Sequence, residues 1–243
     1  MNKKKIIGIS VIIIIFGLVS FTTFWILDSS DPMEEALTAL TSDDIVDVET
    51  DPWLTFSPKN TTPSTAIIFY PGAKIEPESY SIFAKSIAIE GYLVIIAPMP
   101  VNLAIFGVNI ANEIITEFPA IDNWIMAGHS LGGSMAAKFT YENPSLIQGL
   151  ILLASYPAES NDLSDMNIHC LSIYGELDTV LSQDIPSTAP LLPENHTIYE
   201  IAGGNHAYFG YYGEQKGDGT ATITREQQHA ETTTQIILIL ENL

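Results

Sequence analysis

The chain has 243 residues and a mass of 26.5 kDa, enough for one domain with a sizeable core. Its 29 acidic and 9 basic side chains give a net charge of −20, which argues against a nucleic-acid partner because phosphate binding needs a basic surface. The single cysteine, Cys170, excludes an intrachain disulfide, a cysteine-based zinc site and an iron–sulfur cluster. With 47% hydrophobic and 16% charged residues, disorder of the whole chain is excluded as well.

The N-terminus has the pattern of a membrane anchor. Three lysines at positions 3–5 precede an uncharged, mostly apolar run of 22 residues, Ile6–Leu27. A helix of that length covers the roughly 30 Å hydrocarbon core of a bilayer. The lysines predict that residues 1–5 stay in the cytoplasm and that the rest of the chain lies outside the cell membrane, which it spans once. A cleaved signal peptide is the alternative.

Residues 28–44 are expected to form a linker with a short helix. Asp31 before Pro32 predicts a helix start there, and the helix through Leu40 would serve as a spacer. Residues 28–243 carry 6 basic and 29 acidic side chains, a net charge of −23, which suits a protein that stays soluble beside a membrane.

Residues 45–243 predict one α/β domain with a mostly parallel sheet and helices on both faces, because strand patterns alternate with helix patterns. The predicted strands are Ile45–Glu49, Trp53–Phe56, Ala66–Tyr70, Tyr92–Ala97, Trp124–Ala127, Gly149–Ala154, His169–Tyr174 and Thr197–Ile201. The predicted helices are Ser79–Glu90, Ile105–Phe118, Ser134–Glu142 and a C-terminal helix that opens with a capping box at Thr224 and Gln227.

The sequence GHSLGG at 128–133 carries the strongest chemical signal. It contains G-x-S-x-G between a predicted strand and a helix of small residues, the pattern of a nucleophile elbow. The glycines at 128 and 132 remove side chains that would collide in so sharp a turn. The helix start directs backbone N–H groups toward Ser130, which is predicted to be the nucleophile.

A serine nucleophile needs a base, and among five histidines His206 is the predicted one. It lies in a glycine-rich loop just after the last predicted strand, at the sheet edge where ligands gather in open α/β sheets. The other four histidines are expected in other places. His129 is the variable position of the elbow, His169 and His196 lie in strands, and His229 lies on a solvated helix face.

The carboxylate that would orient the histidine is predicted to be Asp178. It follows the strand that ends at Tyr174 and precedes His206, which keeps the chain order serine, acid, histidine. Glu176 is the local alternative, and Asp162 or Asp165 could serve from the preceding connection.

Two backbone N–H groups are predicted to form an oxyanion hole. One belongs to Leu131, directly after the nucleophile, and the other to Ala73, in the turn after the Ala66–Tyr70 strand. Neither a cofactor nor a metal ion is expected. Asp218 fits a Gly-Asp-Gly turn better than a calcium site, because the other spaced carboxylates of a calcium site are missing.

The motifs GHSLGG, GELD at 175–178 and GGNHAYFG at 203–210 resemble those of the α/β-hydrolase superfamily. Within it the chain is most similar to a small, membrane-anchored group related to dienelactone hydrolases. The resemblance covers residues 45–243 and implies the α/β-hydrolase fold, with Ser130, Asp178 and His206 as nucleophile, acid and base. Dienelactone hydrolases themselves have a cysteine nucleophile, so the serine favours ordinary acyl-ester chemistry.

The expected activity is hydrolysis of carboxylic esters through an acyl-enzyme, with a small or externally displayed ester as substrate. An acyltransferase or peptidase could use the same triad, and a non-catalytic, membrane-tethered binding module is an alternative of another class. Only a short connection separates the strands around Ala154 and His169, so no cap domain is expected. Pro98–Leu103 and Tyr208–Tyr212 would then wall a shallow pocket, which predicts a preference for short acyl groups.

Overall fold

A computed structural model describes Phe16 and residues 28–243. The predicted cytoplasmic tail at 1–5 and, apart from Phe16, the predicted anchor at 6–27 lie outside the described residues. None of the helices in the described part of the chain is both long and apolar enough to span a bilayer.

Eight strands form one sheet at the eight predicted places. They are β1 (Val46–Glu49), β2 (Leu54–Pro58), β3 (Thr65–Tyr70), β4 (Leu93–Ile96), β5 (Asn123–His129), β6 (Gly149–Leu153), β7 (His169–Gly175) and β8 (His196–Ile201). Their order is β1-β2-β4-β3-β5-β6-β7-β8. The pairs β1–β2 and β2–β4 are antiparallel and the other pairs are parallel, so the prediction of a mostly parallel sheet is confirmed.

Helices cover both faces of this sheet. They are α1 (Glu34–Ala39), α2 (Ser81–Ile89), α3 (Ile110–Glu117), α4 (Leu131–Glu142) and α5 (Arg225–Leu240). One apolar cluster joins the sheet to α2 and α5, and the other joins it to α3 and α4. Ile67 and Phe69 of β3 face the first cluster, whereas Ala66, Ile68 and Tyr70 face the second, because successive side chains of a strand point to opposite faces.

The predicted helix Ile105–Phe118 is interrupted. A short 3-10 turn, Ala104–Phe106, precedes Gly107, and α3 begins only at Ile110. The Tyr70 hydroxyl explains the break, since it donates to the Val108 carbonyl at 2.6 Å and accepts the Ala111 N–H at 3.2 Å. These bonds replace backbone bonds that a continuous helix would need.

The prediction of a helix start at Asp31 and Pro32 is wrong, because the residues before α1 are extended. Ser30 forms an isolated bridge with Ile75, and the Met33 N–H donates to the Tyr211 carbonyl at 2.8 Å. The expected spacer helix packs onto the domain: Ala36 is fully buried, and its carbonyl accepts a hydrogen bond from the Ser81 hydroxyl of α2.

The connection between β6 and β7 is as short as the sequence predicts. Residues 154–168 contain a single 3-10 turn, Glu159–Asn161. A segment of this size has no core of its own, so no cap domain is inserted at this place.

Candidate active site

Ser130 lies between β5 and α4 in a backbone conformation that side chains rarely adopt. Its φ is 53° and its ψ is −124°, values that cost free energy and are typical of functional sites. A Cβ atom on Gly132 would lie 2.1 Å from the Tyr70 carbonyl oxygen, so only glycine lets α4 start this close to the end of β3. The sharp strand-to-helix turn of a nucleophile elbow is therefore present.

The backbone of Ser130 is fixed on both sides. Its N–H donates to the Leu153 carbonyl at 2.9 Å, and its carbonyl accepts the Ser155 hydroxyl at 2.7 Å. Ser155 follows Ala154, whose φ of 45° turns the chain sharply after β6. Sequence reasoning missed Ser155, because its partner is a backbone carbonyl 25 residues earlier.

Asp178 and His206 form a hydrogen bond. Nδ1 of His206 lies 2.7 Å from Oδ2 of Asp178, and the two side chains are 1% and 2% exposed, respectively. Because a carboxylate can only accept, Nδ1 carries the proton. The other carboxylate oxygen accepts the N–H groups of Val180 and Leu181 at 2.9 and 3.1 Å. The Nε2 atom of His206 is buried and forms no hydrogen bond with the described residues.

A second carboxylate holds the backbone of the His206 loop. Asp218 accepts the N–H of Ala207 at 2.8 Å on one oxygen and the N–H of His206 at 3.3 Å on the other. The side-chain amide of Gln228, on α5, pairs with both backbone groups of Asn205, at 3.0 and 2.8 Å. His206 is thus positioned through its ring by Asp178 and through its backbone by Asp218.

Most of the aromatic segment after His206, which is predicted to wall the pocket, is buried. Phe209, Tyr211 and Tyr212 are buried, because Arg225 draws the backbone of this segment inward. The Arg225 guanidinium donates to the carbonyls of Ala207, Gly210 and Gly213 and lies 4.2 Å from the ring centre of Tyr208. In the other predicted wall, Pro98–Leu103, Met99 and Leu103 are buried and Val101 is exposed.

The N–H of Ala73 has no acceptor among the described residues, as an oxyanion donor requires. The N–H groups on either side of it are occupied: that of Gly72 donates to the Tyr80 hydroxyl at 3.1 Å and that of Lys74 to the Asn102 carbonyl at 2.7 Å. The close approach of Gly132 to the end of β3 brings this turn toward the start of α4, where Leu131 lies.

A buried histidine joins the elbow to its neighbours. The Tyr80 hydroxyl accepts the Gly72 N–H and also forms a hydrogen bond with Nδ1 of His129, at 2.8 Å. The ring of His129 lies 4.6 Å, centre to centre, from that of His206. Burial, and to a smaller extent the neighbouring His206, hold the pKa of His129 well below its ordinary value. His129 is therefore a neutral packing residue.

The alternative acids have other partners. Glu176 accepts the N–H of Gly203 at 2.8 Å, and Asp162 accepts the N–H of Ser164, two residues along, at 2.9 Å. Asp165 lines a surface cleft with Ser164 and Glu194. Of the four predicted acids, the structure brings only Asp178 to the ring of His206.

The remaining histidines lie elsewhere, and one of them differs from expectation. His169 contacts the Asn195 side chain, and His196 contacts the Pro193 carbonyl. His229, expected on a solvated helix face, is 7% exposed and packs 4.7 Å from the ring centre of Tyr211. Burial lowers its pKa from 6.5 to about 3.

Two residues that hold the His206 loop, Arg225 and Asp218, were not predicted in that role from the sequence. Arg225 is the single arginine of the chain, and its planar, weakly hydrated guanidinium suits several fixed acceptors at once. Asp218 lies between two glycines at 217 and 219, and its carboxylate oxygens accept backbone N–H groups. In the described part of the chain, no three His, Cys, Asp or Glu side chains converge as a metal site would need.

Comparisons with known proteins agree with this architecture. A model of the alpha/beta hydrolase family matches residues 66–230. Among solved structures, the chain resembles a CIB-like hydrolase from Thermoplasma acidophilum, with 15% identity, a TM-score of 0.58 and coverage of 82% of this chain and 99% of the other. It also resembles Est1E from Butyrivibrio proteoclasticus, solved with ferulic acid, at 12% identity and a TM-score of 0.58, covering 78% and 97%.

A third similar structure comes from a report on LipS and LipT, two metagenome-derived lipolytic enzymes. It has 13% identity and a TM-score of 0.50 and covers 59% of this chain and 86% of the other. At these identities the likenesses show the fold. No curated protein sequence matches the chain at a significant level.

The lowered pKa values of two buried histidines, His129 and His229, predict that acid destabilises the fold. Because His229 has its pKa lowered from 6.5 to about 3, the unfolded chain binds a proton that the folded chain excludes. Stability is therefore complete above pH 6.5 and falls as the pH drops below it, by about 1.4 kcal/mol per pH unit for one such group. The His229→Gln variant should lose about 2 kcal/mol less than the wild type between pH 6.5 and 5.

Urea unfolding at several pH values measures this difference. Thr234→Gln, an exposed position on the same helix that brings in no titratable group, serves as the control and should keep the wild-type dependence. Identical pH dependence in His229→Gln and the wild type would contradict the assignment of His229 as a neutral buried residue.

Proposed function

Since the chain belongs to the alpha/beta hydrolase family, we propose that it is a serine hydrolase acting on carboxylic esters, with Ser130, His206 and Asp178 as its catalytic triad. The observation that carries this proposal is the 2.7 Å hydrogen bond between Asp178 and His206. It lies at the carboxyl edge of the parallel strands, where Ser130 occupies a nucleophile elbow with φ 53°.

The proposed reaction begins when Oγ of Ser130 attacks the ester carbonyl. Nε2 of His206 accepts the serine proton. The Nδ1 atom keeps its own proton, and the Asp178 carboxylate stabilises the resulting imidazolium. The alcohol leaves with the proton from Nε2, which yields the acyl-enzyme. Water then attacks the acyl group with His206 again acting as base, which releases the acid and restores Ser130.

The negative charge of each tetrahedral intermediate would be stabilised by the N–H groups of Ala73 and Leu131. Oxyanion donors of this kind contribute about 10²–10³ in kcat when fixed in advance. Nε2 of His206 has no hydrogen-bond partner among the described residues, which is compatible with its role, because nucleophile–base hydrogen bonds are often long until substrate binds.

Esters are favoured as the substrate class by two of the similar structures, one an esterase-named protein solved with ferulic acid and the other a lipolytic enzyme. The short connection at 154–168 supports a small or externally displayed ester. A site without a cap buries little of a long acyl chain, so each added methylene contributes only a fraction of about 0.8 kcal/mol.

Replacement of Ser130 by alanine tests the proposal. Ser130→Ala should abolish covalent labelling by a fluorophosphonate probe and hydrolysis of simple aryl esters, because it removes the attacking oxygen. Ser134→Ala, one turn along the same helix, should retain labelling, since the Ser134 hydroxyl donates to the Tyr156 carbonyl. Persistent labelling of Ser130→Ala would show that another residue is the nucleophile.

We also propose that residues 6–27 anchor the protein in the cell membrane, with the hydrolase domain outside. The proposal is supported by the 22-residue apolar run and by the three preceding lysines, which favour a cytoplasmic N-terminus.

Protease accessibility tests this orientation. Protease added to intact protoplasts should degrade the hydrolase domain, whereas a cytoplasmic control protein should survive. Complete protection of the domain, followed by degradation after lysis, would place it on the cytoplasmic side and contradict the proposal.

A further inference from the structure

An exposed apolar patch lies in the segment that follows β4. It consists of Val101, Ile105 and Phe106, which are 37%, 47% and 62% exposed, and we call it the apolar rim. The rim belongs to the segment between β4 and α3. Its 3-10 turn, Ala104–Phe106, contacts α4, and Ile105 and Phe106 line a surface cleft with Lys138 and Glu142 of that helix. Large apolar side chains clustered within six residues on the surface indicate contact with another apolar phase.

The rim is fixed to the loop that carries Ala73. The Lys74 N–H donates to the Asn102 carbonyl at 2.7 Å, and the Asn102 amide donates to the Glu76 carboxylate at 2.9 Å. Val101 and Asn102 have φ values of 50° and 55°, an unfavourable conformation for a β-branched valine. The contacts to Lys74 and Glu76 thus hold the backbone at Val101 and Asn102 in a strained conformation.

The N-terminal end of the domain joins the same loop. The Ser30 N–H donates to the Lys74 carbonyl at 2.7 Å, and the Ser30 carbonyl accepts the Glu76 N–H at 3.2 Å. The Ser29 hydroxyl donates to the same Glu76 oxygen that binds Asn102, at 2.5 Å. Glu76 therefore connects the incoming chain directly to the rim.

The distance from the predicted anchor to this point is short. The apolar run ends at Leu27, three residues before Ser30, and three extended residues span at most about 11 Å. The headgroup layer on each side of a bilayer is roughly 5–7 Å thick. The turn at Lys74, and with it the start of the rim at Val101, must therefore stay close to the membrane surface if residues 6–27 span the bilayer.

We propose that the apolar rim inserts into the outer surface of the bilayer that holds the anchor, and that the substrate is an ester carried by an amphiphile in that bilayer. This inference rests on the proposed function, both the anchor and the Ser130 chemistry. The amphiphile's hydrocarbon remains in the membrane while its ester reaches Ser130, so no deep acyl pocket is required.

The contact is apolar and depends on the tether. With a net charge of −23 on residues 28–243, attraction to anionic lipid cannot supply it. A short covalent tether instead gives the rim a high effective concentration at the membrane surface. Three apolar side chains can then hold a contact that would be weak if the protein were not tethered.

A fluorescent probe at the rim tests the insertion. The full chain carrying Phe106→Cys is labelled with a polarity-sensitive fluorophore and reconstituted into phosphatidylcholine vesicles. Cys170 does not interfere, because it is buried and burial raises its thiol pKa to about 12. The control is Leu146→Cys, an exposed leucine between α4 and β6, at the opposite edge of the sheet.

Lipids brominated on their acyl chains should quench the probe at 106 at least twofold and leave the probe at 146 unchanged, in low salt and in 1 M NaCl. Equal quenching at both positions, or none at 106, would overturn the insertion. Recovery of the chain outside the vesicles would overturn it as well, because the anchor on which it rests would then be absent.

The substrate class is tested with the double variant Ile105→Asp/Phe106→Asp. It should hydrolyse a fluorogenic ester embedded in the same vesicles at least tenfold more slowly than the wild type, with kcat/KM for a soluble aryl acetate unchanged. Leu146→Asp should change neither rate. Equal losses on both substrates would indicate a structural role for the rim and overturn the inference.

The two proposals fail in different ways. A wild-type protein that hydrolyses aryl acetate, with the double variant equal to it on both substrates, overturns the membrane-borne substrate and leaves the hydrolase intact. A wild-type protein that hydrolyses neither substrate and is not labelled by a fluorophosphonate overturns the proposed hydrolase, while quenching of the probe at 106 still decides the membrane contact.

Discussion

The hydrogen bond between Asp178 and His206 is the interaction on which the rest of the site depends. A carboxylate that is 2% exposed is costly to bury unless its oxygens are satisfied. Asp178 meets this condition with one imidazole N–H and two backbone N–H groups. The loops after β7 and β8 must therefore pack tightly, and a Cβ on Gly175 would lie 2.5 Å from the backbone nitrogen of Asn205.

The surrounding contacts restrict the positions of three loops around that pair. Asp218, Gln228 and Arg225 hold the backbone that carries His206. Tyr80 links the turn of Ala73 to His129, whose ring packs beside His206. These contacts within the protein fix the arrangement of the loops, as electrostatic stabilisation of a transition state requires.

The eight strands and the positions of Ser130, Asp178 and His206 at one sheet edge could be predicted, because buried parallel strands are continuous apolar runs and the chemistry follows each strand end. The break at Gly107 could not, since it depends on the hydroxyl of Tyr70, nearly 40 residues earlier. The buried state of His229 and of Tyr211 likewise depends on tertiary contacts between α5 and the His206 loop.

The contacts of Arg225 could not be predicted from the sequence either. Its acceptors are the carbonyls of Ala207, Gly210 and Gly213, and backbone carbonyls leave no mark in a sequence. The buried state of Phe209, Tyr211 and Tyr212 therefore does not follow from the composition of the segment. Side-chain chemistry could be predicted where partners are side chains, and not where they are backbone groups.

The rate of fluorophosphonate labelling of Asp178→Asn tests the central claim most directly, because it needs no knowledge of the natural substrate. An amide leaves the loop geometry in place but no longer fixes the tautomer of His206, so the rate constant should fall by about 10³–10⁴. The matched variant Glu176→Gln, in the same loop, should stay near the wild-type rate. A loss of less than about tenfold in Asp178→Asn would contradict the account.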